Sequence, residues 1–571
     1  MASGRERVGR DGGRVWIACG LVVILFLVII GRLFYLQVLK TDYYQQQASN
    51  QRTTIKGLEP IRGSIYAQEK GKELYPVATN IKRYIVFVDP KMITDREAVV
   101  KALPLLVAVT EEEIKAKLDG QSRYEVLAKD VDEDIAQKIL ELKLAGVGAL
   151  AEAKRLYPDS RFGGQLLGFV GYQGEGKRGQ YGIEGAYENV LAGQPGKLVG
   201  EKSVGGAVIP LADQSVQPAV DGDDLVLTID RAIQYQACSE VEKGIREYQA
   251  SAGTIIVVDV KSGAILALCG APDFDPNNYS QADPRSFSSP AVSGAYEPGS
   301  VFKAITMAAG LDLGKVTPSS TYVDGGQVVV DNFVIKNSDE KAHGVQTMTG
   351  VLELSLNTGV IHVVKLVGRE FFQSYVKQFG FGEITGIDMA GETTGTIVSL
   401  DKKSLSYLYT AAFGQGLTAT PIQMVMAYAA IANNGTLMPP YLVAELRKPD
   451  GAILKTKPKA IRQVIAPRTA LLLQGMLVSV VKNGHSKKAA VPGYLVAGKT
   501  GTAQVASRGG YAKGATIQTF VGFAPADNPR FAALVRYDNP ASNFAEGTAV
   551  PSFKRIAEFL FNYWQIPPNQ L

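Results

Sequence analysis

Tyr296–Leu311 reads YEPGSVFKAITMAAGL. Pro298 and Gly299 interrupt any regular element, and the apolar run from Val301 onward predicts a buried helix that Ser300 opens. A serine at a helix N-terminus lies at the positive end of the helix dipole, beside backbone N–H groups that have no intrahelical partner. Those groups can support a developing oxyanion. Lys303 stands three residues on and shares a helix face with Ser300. A lysine takes a serine proton only when neutral. From an ordinary pKa of about 10.4, neutrality at physiological pH costs about 4 kcal/mol. Burial, the helix terminus and a second cation all push that way.

Two further stretches complete a set. Ser355-Leu356-Asn357 and Lys499-Thr500-Gly501-Thr502 follow in that order. An irregular turn at Ser355 lets its hydroxyl and the Asn357 amide face one cavity, where the hydroxyl can relay a proton and the amide can hold a substrate peptide group. VAGKTGTAQV (Val496–Val505) predicts a strand. Gly498 and Gly501 remove side-chain bulk where another backbone must approach. A peptide could add to this strand as an extra edge strand. Lys499 supplies the second cation, and the hydroxyls of Thr500 and Thr502 suit a terminal carboxylate. The Thr502 N–H is a plausible second oxyanion donor beside that of Ser300.

Each motif alone is weak. S-x-x-K recurs at Ser338–Lys341, in the polar loop NSDEKAHG, and at Ser374–Lys377, inside the helical run EFFQSYVKQF. K-[ST]-G recurs at Lys261–Gly263, which reads as a hairpin turn. Neither serine has the setting of Ser300. ELSLN also fits E-x-x-L-N, but there the pattern overlaps the S-x-N itself, so Glu353 is read as an accidental match.

Outward from these motifs, DLVLTI (Asp224–Ile229) predicts a strand, and Asp230 caps a helix that places Ile233, Ala237, Val241 and Ile245 on one face. GTIIVVDV (Gly253–Val260) and AILALCGA (Ala264–Ala271) predict a hairpin. IQTFVGFAP (Ile517–Pro525) and RFAALVRYD (Arg530–Asp538) predict a second strand pair. A last helix from about Ser552 puts Phe553, Ile556, Ala557, Leu560, Phe561 and Trp564 on one side. Between the pairs the sequence is mainly helical; Thr420 caps one helix, Pro421 opens it and Gly435 stops it. The expected class is α+β, an antiparallel sheet covered by helices.

Upstream, Arg83–Pro90 reads as a strand, Thr110–Leu118 and Asp132–Ala145 as short helices, and Gly163–Gly185 as a loop. None of this carries a catalytic constellation, so 41–222 reads as a spacer or docking domain before a catalytic unit at 223–571. Residues 41–55, rich in glutamine, read as a juxtamembrane helix or linker. Val15–Ile30 is sixteen residues without a charge, and apolar residues continue to Leu39. About 25 residues suffice to span a hydrocarbon core of roughly 30 Å with Arg32 snorkelling. No A-x-A cleavage site follows, so 1–40 reads as a cytoplasmic tail and uncleaved anchor rather than a signal peptide. Arg5, Arg7, Arg10 and Arg14 precede the span, placing the N-terminus in the cytoplasm and the remainder outside.

Composition adds exclusions. The 571 residues are 46% hydrophobic and 20% charged with a net charge of +5, too little to argue for nucleic acid. There are three histidines, no HExxH, no zinc-type cysteine spacing and no Walker sequence. Cys238 and Cys269 are expected as buried free thiols, a single bridge between them being the alternative.

The three motifs together resemble those of the class B penicillin-binding proteins, most closely the division-specific type. The resemblance runs along nearly the whole chain: the anchor, RGSIY (Arg62–Tyr66), GIEGAYENVLAGQPG (Gly182–Gly196), YEPGSVFK, AFGQGLTATPIQ (Ala412–Gln423), VAGKTGTAQ and FVGFAPADNPRFAALVRYDNP (Phe520–Pro540). It implies a transpeptidase domain with a five-stranded antiparallel sheet between helices plus a helical subdomain, on an elongated α+β pedestal, with one transmembrane helix. It implies a serine-type D,D-transpeptidase of the cytoplasmic membrane that needs no cofactor or metal. Ser300 attacks the D-Ala-D-Ala bond of a peptidoglycan stem, and an amine from a second stem resolves the acyl-enzyme. Lys303 is then the base, Ser355 a proton relay, and Asn357, Lys499, Thr500, Gly501 and Thr502 hold substrate. β-Lactams acylate Ser300 as dead-end mimics, and the partners are a membrane-embedded glycan polymerase and other cell-wall assembly proteins. The sequence departs from the family after RGSIY, where Ala67-Gln68-Glu69-Lys70-Gly71 replaces the usual aspartate and arginine.

Related readings are an elongation-type transpeptidase and a D-Ala-D-Ala carboxypeptidase of the same fold. A β-lactamase would need a separate water-activating glutamate. A β-lactam receptor would carry additional spans and HExxH. An inactive scaffold would not need Ser300, Lys303, Ser355, Asn357 and Lys499 intact.

Overall fold

The computed structural model describes residues 11–44, 53–174, 176–201, 215–507 and 510–568. The chain divides into two compact units, Met1–Pro60 with Gln194–Val220, and Ile61–Gly193 with Asp221–Leu571.

In the first unit a helix covers Asp11–Phe34 and continues as a π-turn over Tyr35–Leu39. Gly13–Leu39 is apolar and long enough to cross a membrane. Apart from half-buried Leu36 its residues are exposed, as a helix solvated by lipid requires. Most of the predicted 41–55 linker lies outside the described residues; Thr53–Leu58 is a strand pairing antiparallel with Gly196–Glu201, which pairs with Ser215–Gln217.

The second unit holds two large sheets. One has seven strands, in the order Ile453–Lys455, Val443–Arg447, Asp224–Asp230, Ile65–Gln68, Leu74–Val88 and Glu125–Val131, with Val147–Leu156 also paired to Leu74–Val88. The pairing of Ile65–Gln68 with Asp224–Asp230 is parallel. Gly63 permits this approach, because a Cβ there would lie 1.9 Å from the Asp223 carbonyl oxygen. Next to it, Glu184 is wholly buried between two arginines, Arg62 Nε at 2.8 Å and Arg155 Nε at 2.7 Å; Arg62 also reaches Glu188 at 2.6 Å. Burial raises the proton affinity of Glu184, but Arg155 and Arg62 outweigh it and hold the carboxyl below its usual range. The RGSIY and GIEGAYENV segments meet through these ion pairs. After RGSIY, Gln68 Nε2 donates to the Leu227 carbonyl at 2.8 Å and Glu69 pairs with Arg231 at 2.9 Å, so the departing residues still tie the strand down.

The second sheet has five strands: β1 (Ala252–Asp259), β2 (Ile265–Ala271), β3 (Ala497–Ser507), β4 (Gly510–Ala524) and β5 (Phe531–Asp538). Its order is β2-β1-β5-β4-β3, all antiparallel. Around it lie α1 (Arg231–Tyr248), α2 (Lys303–Asp312), α3 (Met348–Glu353), α4 (Asn357–Val367), α5 (Pro421–Ala432), α6 (Pro467–Asn483) and α7 (Ala549–Trp564). Alternate side chains feed two separate cores. Ile255, Val257, Val535 and Phe520 join Phe553, Ile556 and Leu560 of α7 and Ile233 and Val241 of α1. Ile256, Val258, Leu534, Val521 and Phe523 join α2 and α5 on the opposite face. Both faces are covered, so the strands read as unbroken apolar runs. All twelve residues of α5 are buried; Thr420 caps its start and Pro421 opens it, as expected, and Gln423 completes a capping box.

Three expectations are corrected. Cys238 and Cys269 are joined in a disulfide, because α1 lays Cys238 directly on β2 with the Cα atoms 5.3 Å apart. Gly163–Gly185 is not a loop: it holds helices at Gly164–Leu167 and Gly182–Ala186 and a hairpin of Phe169–Gln173 with Gly176–Gln180. Several of its glycines serve close packing; a Cβ on Gly168 would sit 2.3 Å from the Tyr181 carbonyl oxygen. The helix expected over Asp132–Ala145 stops at Glu141, and Lys143 takes a left-handed conformation.

Glu184→Ala leaves two guanidinium groups facing each other without their shared carboxylate. The expected loss is about 3 kcal/mol or more, read as a lower melting temperature; an unchanged melting temperature contradicts the assignment.

Candidate active site

Gly299–Phe302 is a 3-10 turn that runs directly into α2, so Ser300 lies on a tighter turn than the expected α-helical start. Its backbone is held from three sides. Gly299, at φ +60°, donates its N–H to the Gly414 carbonyl at 3.1 Å. Tyr428, wholly buried on α5, donates its hydroxyl to the Val301 carbonyl at 2.8 Å. The Lys303 N–H closes the turn onto the Ser300 carbonyl. Among the described residues no group hydrogen-bonds to the Ser300 hydroxyl, and the residue is half-buried. That hydroxyl is free to turn toward an incoming acyl carbon.

Lys303 is wholly buried, and its amine reaches Ser355 rather than Ser300. It donates to the Ser355 hydroxyl at 3.1 Å and to the Ser355 carbonyl. Lys499, also wholly buried, donates to the same hydroxyl at 3.0 Å and to the Thr500 carbonyl at 3.2 Å. One hydroxyl therefore accepts from both lysines and keeps its own proton to give. Ser355 sits between α3 and α4 at φ +56°, a left-handed conformation costing a non-glycine residue about 1 kcal/mol or more.

Asn357 opens α4 and commits its amide nitrogen to the Lys336 carbonyl at 2.8 Å, so only its oxygen and second N–H remain for a ligand. Behind it, Asp324 accepts from Thr358 Oγ1 at 2.7 Å and from Asn337 at 2.9 Å, fixing the turn. Glu353 points away: its carboxylate accepts from Ser479 and Asn483 of α6. It stands apart from the lysine pair, in keeping with its reading as an accidental match.

The Lys499–Thr502 run lies on β3, the free edge of the five-stranded sheet. A Cβ on Gly501 would lie 2.9 Å from the Pro298 carbonyl oxygen and 3.1 Å from Val301 Cγ1, so this glycine lets the strand close on the Ser300 turn. The Thr502 carbonyl oxygen comes within 3.5 Å of the Cβ position at Gly299. Thr500 is half-buried and Thr502 exposed. The Thr502 hydroxyl accepts from the Ala545 N–H at 3.3 Å. The other matches lie elsewhere, Lys261–Gly263 in the β1–β2 hairpin and Ser374–Lys377 within a helix at Arg369–Gln378. Tyr428 and the Asp324 cluster were invisible as site supports in sequence, since a tyrosine in an apolar helix reads as core.

Burial, and then the nearby Lys499, push Lys303 well below its ordinary value. Burial alone brings Lys499 down to about 7. Two ammonium groups on one hydroxyl repel, so the neutral state falls on Lys303 and the residual charge on Lys499. A free hydroxyl, a neutral amine and a cation on a strand edge suit one class of protein, the serine–lysine acyltransferases.

Comparison with known proteins agrees. Residues 253–558 match the penicillin binding protein transpeptidase domain, and residues 58–227 match the penicillin-binding protein dimerisation domain. The chain is 34% identical over 535 residues to stage V sporulation protein D of Bacillus subtilis, covering 92% of this chain and 82% of that protein. It is 29% identical to the peptidoglycan D,D-transpeptidase FtsI of Buchnera aphidicola, covering 96% and 95%. A crystal structure of penicillin-binding protein 3 from Mycobacterium tuberculosis with aztreonam superposes with a TM-score of 0.69 at 27% identity, covering 90% of this chain and 99% of that one. The chain belongs to the penicillin-binding protein transpeptidase family, class B, whose members are peptidoglycan D,D-transpeptidases.

The second-order rate of acylation reports groups of the free protein. It is expected to fall above about pH 7 as Lys499 loses its charge, and Lys499→Arg should remove that alkaline limb. A limb that survives the arginine variant rules Lys499 out as its source.

Proposed function

We propose that the chain cross-links peptidoglycan through an acyl-enzyme on Ser300. The observation that carries this reading is the meeting of Lys303 and Lys499 on one Ser355 hydroxyl, beside the turn that bears Ser300. Neutral Lys303 takes the Ser300 proton as Oγ attacks the penultimate D-alanine carbonyl. The N–H groups of Ser300 and Thr502 stabilise the oxyanion. Ser355 gives its proton to the leaving D-alanine nitrogen and recovers one from Lys303, which held the proton taken from Ser300. Lys499, Thr500 and Thr502 hold the terminal carboxylate, Gly501 admits the peptide backbone and Asn357 takes a substrate peptide group. An amine of a second stem then attacks the ester, its proton passing to neutral Lys303 and from there to the departing Ser300 oxygen, which restores the free hydroxyl. A β-lactam enters the first half of this path and stays bound; the aztreonam complex of the mycobacterial relative supports that reading.

The arrangement proposed along the chain is an anchor at 1–40, a docking domain at 41–222 and the transpeptidase at 223–571. The apolar Gly13–Leu39 helix supports a single-pass anchor, and the arginines before it a cytoplasmic N-terminus. The catalytic part then faces the cell wall, with a membrane-embedded glycan polymerase as partner. The division-specific pattern of the sequence motifs supports a role at the division septum.

Ser300→Ala is expected to abolish labelling by fluorescent penicillin while the melting temperature stays within a few degrees; residual covalent labelling would falsify the nucleophile. With stem peptides, cross-linked dimer should accumulate. Free D-alanine without dimer means a carboxypeptidase. Depletion should give filaments, whereas spheres point to elongation.

A further inference from the structure

We propose that Glu297 and Tyr511 are positioning residues for acyl-donor entry, the Glu297 carboxylate pinning the outer end of the β3–β4 hairpin to the turn that carries Ser300. This rests on the Ser300 acyl-enzyme reading. Glu297 is half-buried three residues before the nucleophile. Its Oε1 accepts from the Gly416 N–H at 2.9 Å and its Oε2 from the Tyr511 hydroxyl at 3.0 Å. One carboxylate thus joins the turn, the 414–416 loop and the hairpin.

The anchoring side is rigid. Tyr296 exchanges both backbone hydrogen bonds with Ala419, and its buried ring lies 4.5 Å under the Arg536 guanidinium. Pro298 fixes its own φ and restricts Glu297 before it, and Gly299 is held by Gly414. The other side is not rigid by itself. β3 is an edge strand, and beyond the irregularity after Gln504 its pairs with β4 among the described residues are Ala506 opposite Tyr511 and Ser507 opposite Gly510. A hairpin end held by its own short ladder opens readily. The Tyr511 hydroxyl ties it back to the nucleophile turn. Burial, and then Glu297, push that hydroxyl up to about 12, so it stays a donor.

β3 also carries Lys499 to Thr502, so the position of its outer end sets the gap through which a donor reaches Ser300. Neither residue touches the reacting atoms. The effect therefore falls on binding and leaves the chemical step alone.

The test uses the full chain in detergent micelles. Fluorescent penicillin is titrated so that the half-saturating concentration and the limiting acylation rate separate. Tyr511→Phe is expected to raise the half-saturating concentration about fivefold, with the limiting rate changed less than about twofold. Glu297→Gln should act in the same direction, and the double variant should be no worse than the poorer single one. An unchanged half-saturating concentration in Tyr511→Phe, a loss confined to the limiting rate, or losses that multiply in the double variant each overturn the proposal. Should Glu297→Gln fail to fold, Tyr511→Phe decides alone, since Tyr511 is 43% exposed. If the wild type itself is not acylated at Ser300, the parent reading fails; if it is and Tyr511→Phe matches it, only the positioning role does.

Discussion

Two buried amines sharing one hydroxyl is the constraint on which the rest of this molecule turns. Among the described residues no carboxylate pairs with Lys303 or Lys499; their hydrogen-bond partners are Ser355 and the Thr500 carbonyl. Charged, both would be desolvated and mutually repelled, so the fold drives a proton off one of them. The sign for stability follows. Both lysines bind protons less tightly folded than unfolded, so the unfolded chain holds more protons between the lowered values and about 10.5. Across that window stability rises with pH. At neutral pH the site therefore destabilises the protein, as expected of a group kept for chemistry.

That destabilisation is tolerated because three distant segments are each fixed by packing. α2 and α5 fill one face of the five-stranded sheet and hold the 299–302 turn, with Tyr428 grasping Val301 from below. The α3–α4 junction bends Ser355 into a left-handed conformation and is braced by Asp324. Over Ala497 to Gln504 β3 is fixed by a continuous register with β4, and Gly501 lets it close on the Ser300 turn. The two-faced core supplies the burial that lowers the lysines. Packing and electrostatics are one device here.

Much of this was legible in the sequence because local signals were strong. Thr420-Pro421 and Asp230 mark helix starts, the apolar runs at 253–271 and 517–538 mark strands buried on both sides, and the order of Ser300, Ser355 and Lys499 marks the site. What escaped depends on distant partners. Ile65–Gln68 joins Asp224–Asp230 across about 160 residues of chain, which no periodicity reveals. Glu184 looks like any surface acid until two arginines enclose it. The glycines of 163–185 read as a loop while several of them serve packing, and the cysteines meet only because α1 crosses β2. In the site itself, the sequence paired Lys303 with Ser300, whereas the structure hands its amine to Ser355, a contact set by backbone conformation.

The lysine charges can be read directly. Carbon-13 NMR of protein labelled at lysine Cε, with Lys303→Met and Lys499→Met to assign the two signals, follows each amine through a pH titration. The account predicts one lysine neutral well below the ordinary ammonium range, assigned to Lys303, and the other titrating near 7. If both signals titrate together near 10, the amines are solvated and apart, and the shared-hydroxyl site does not exist.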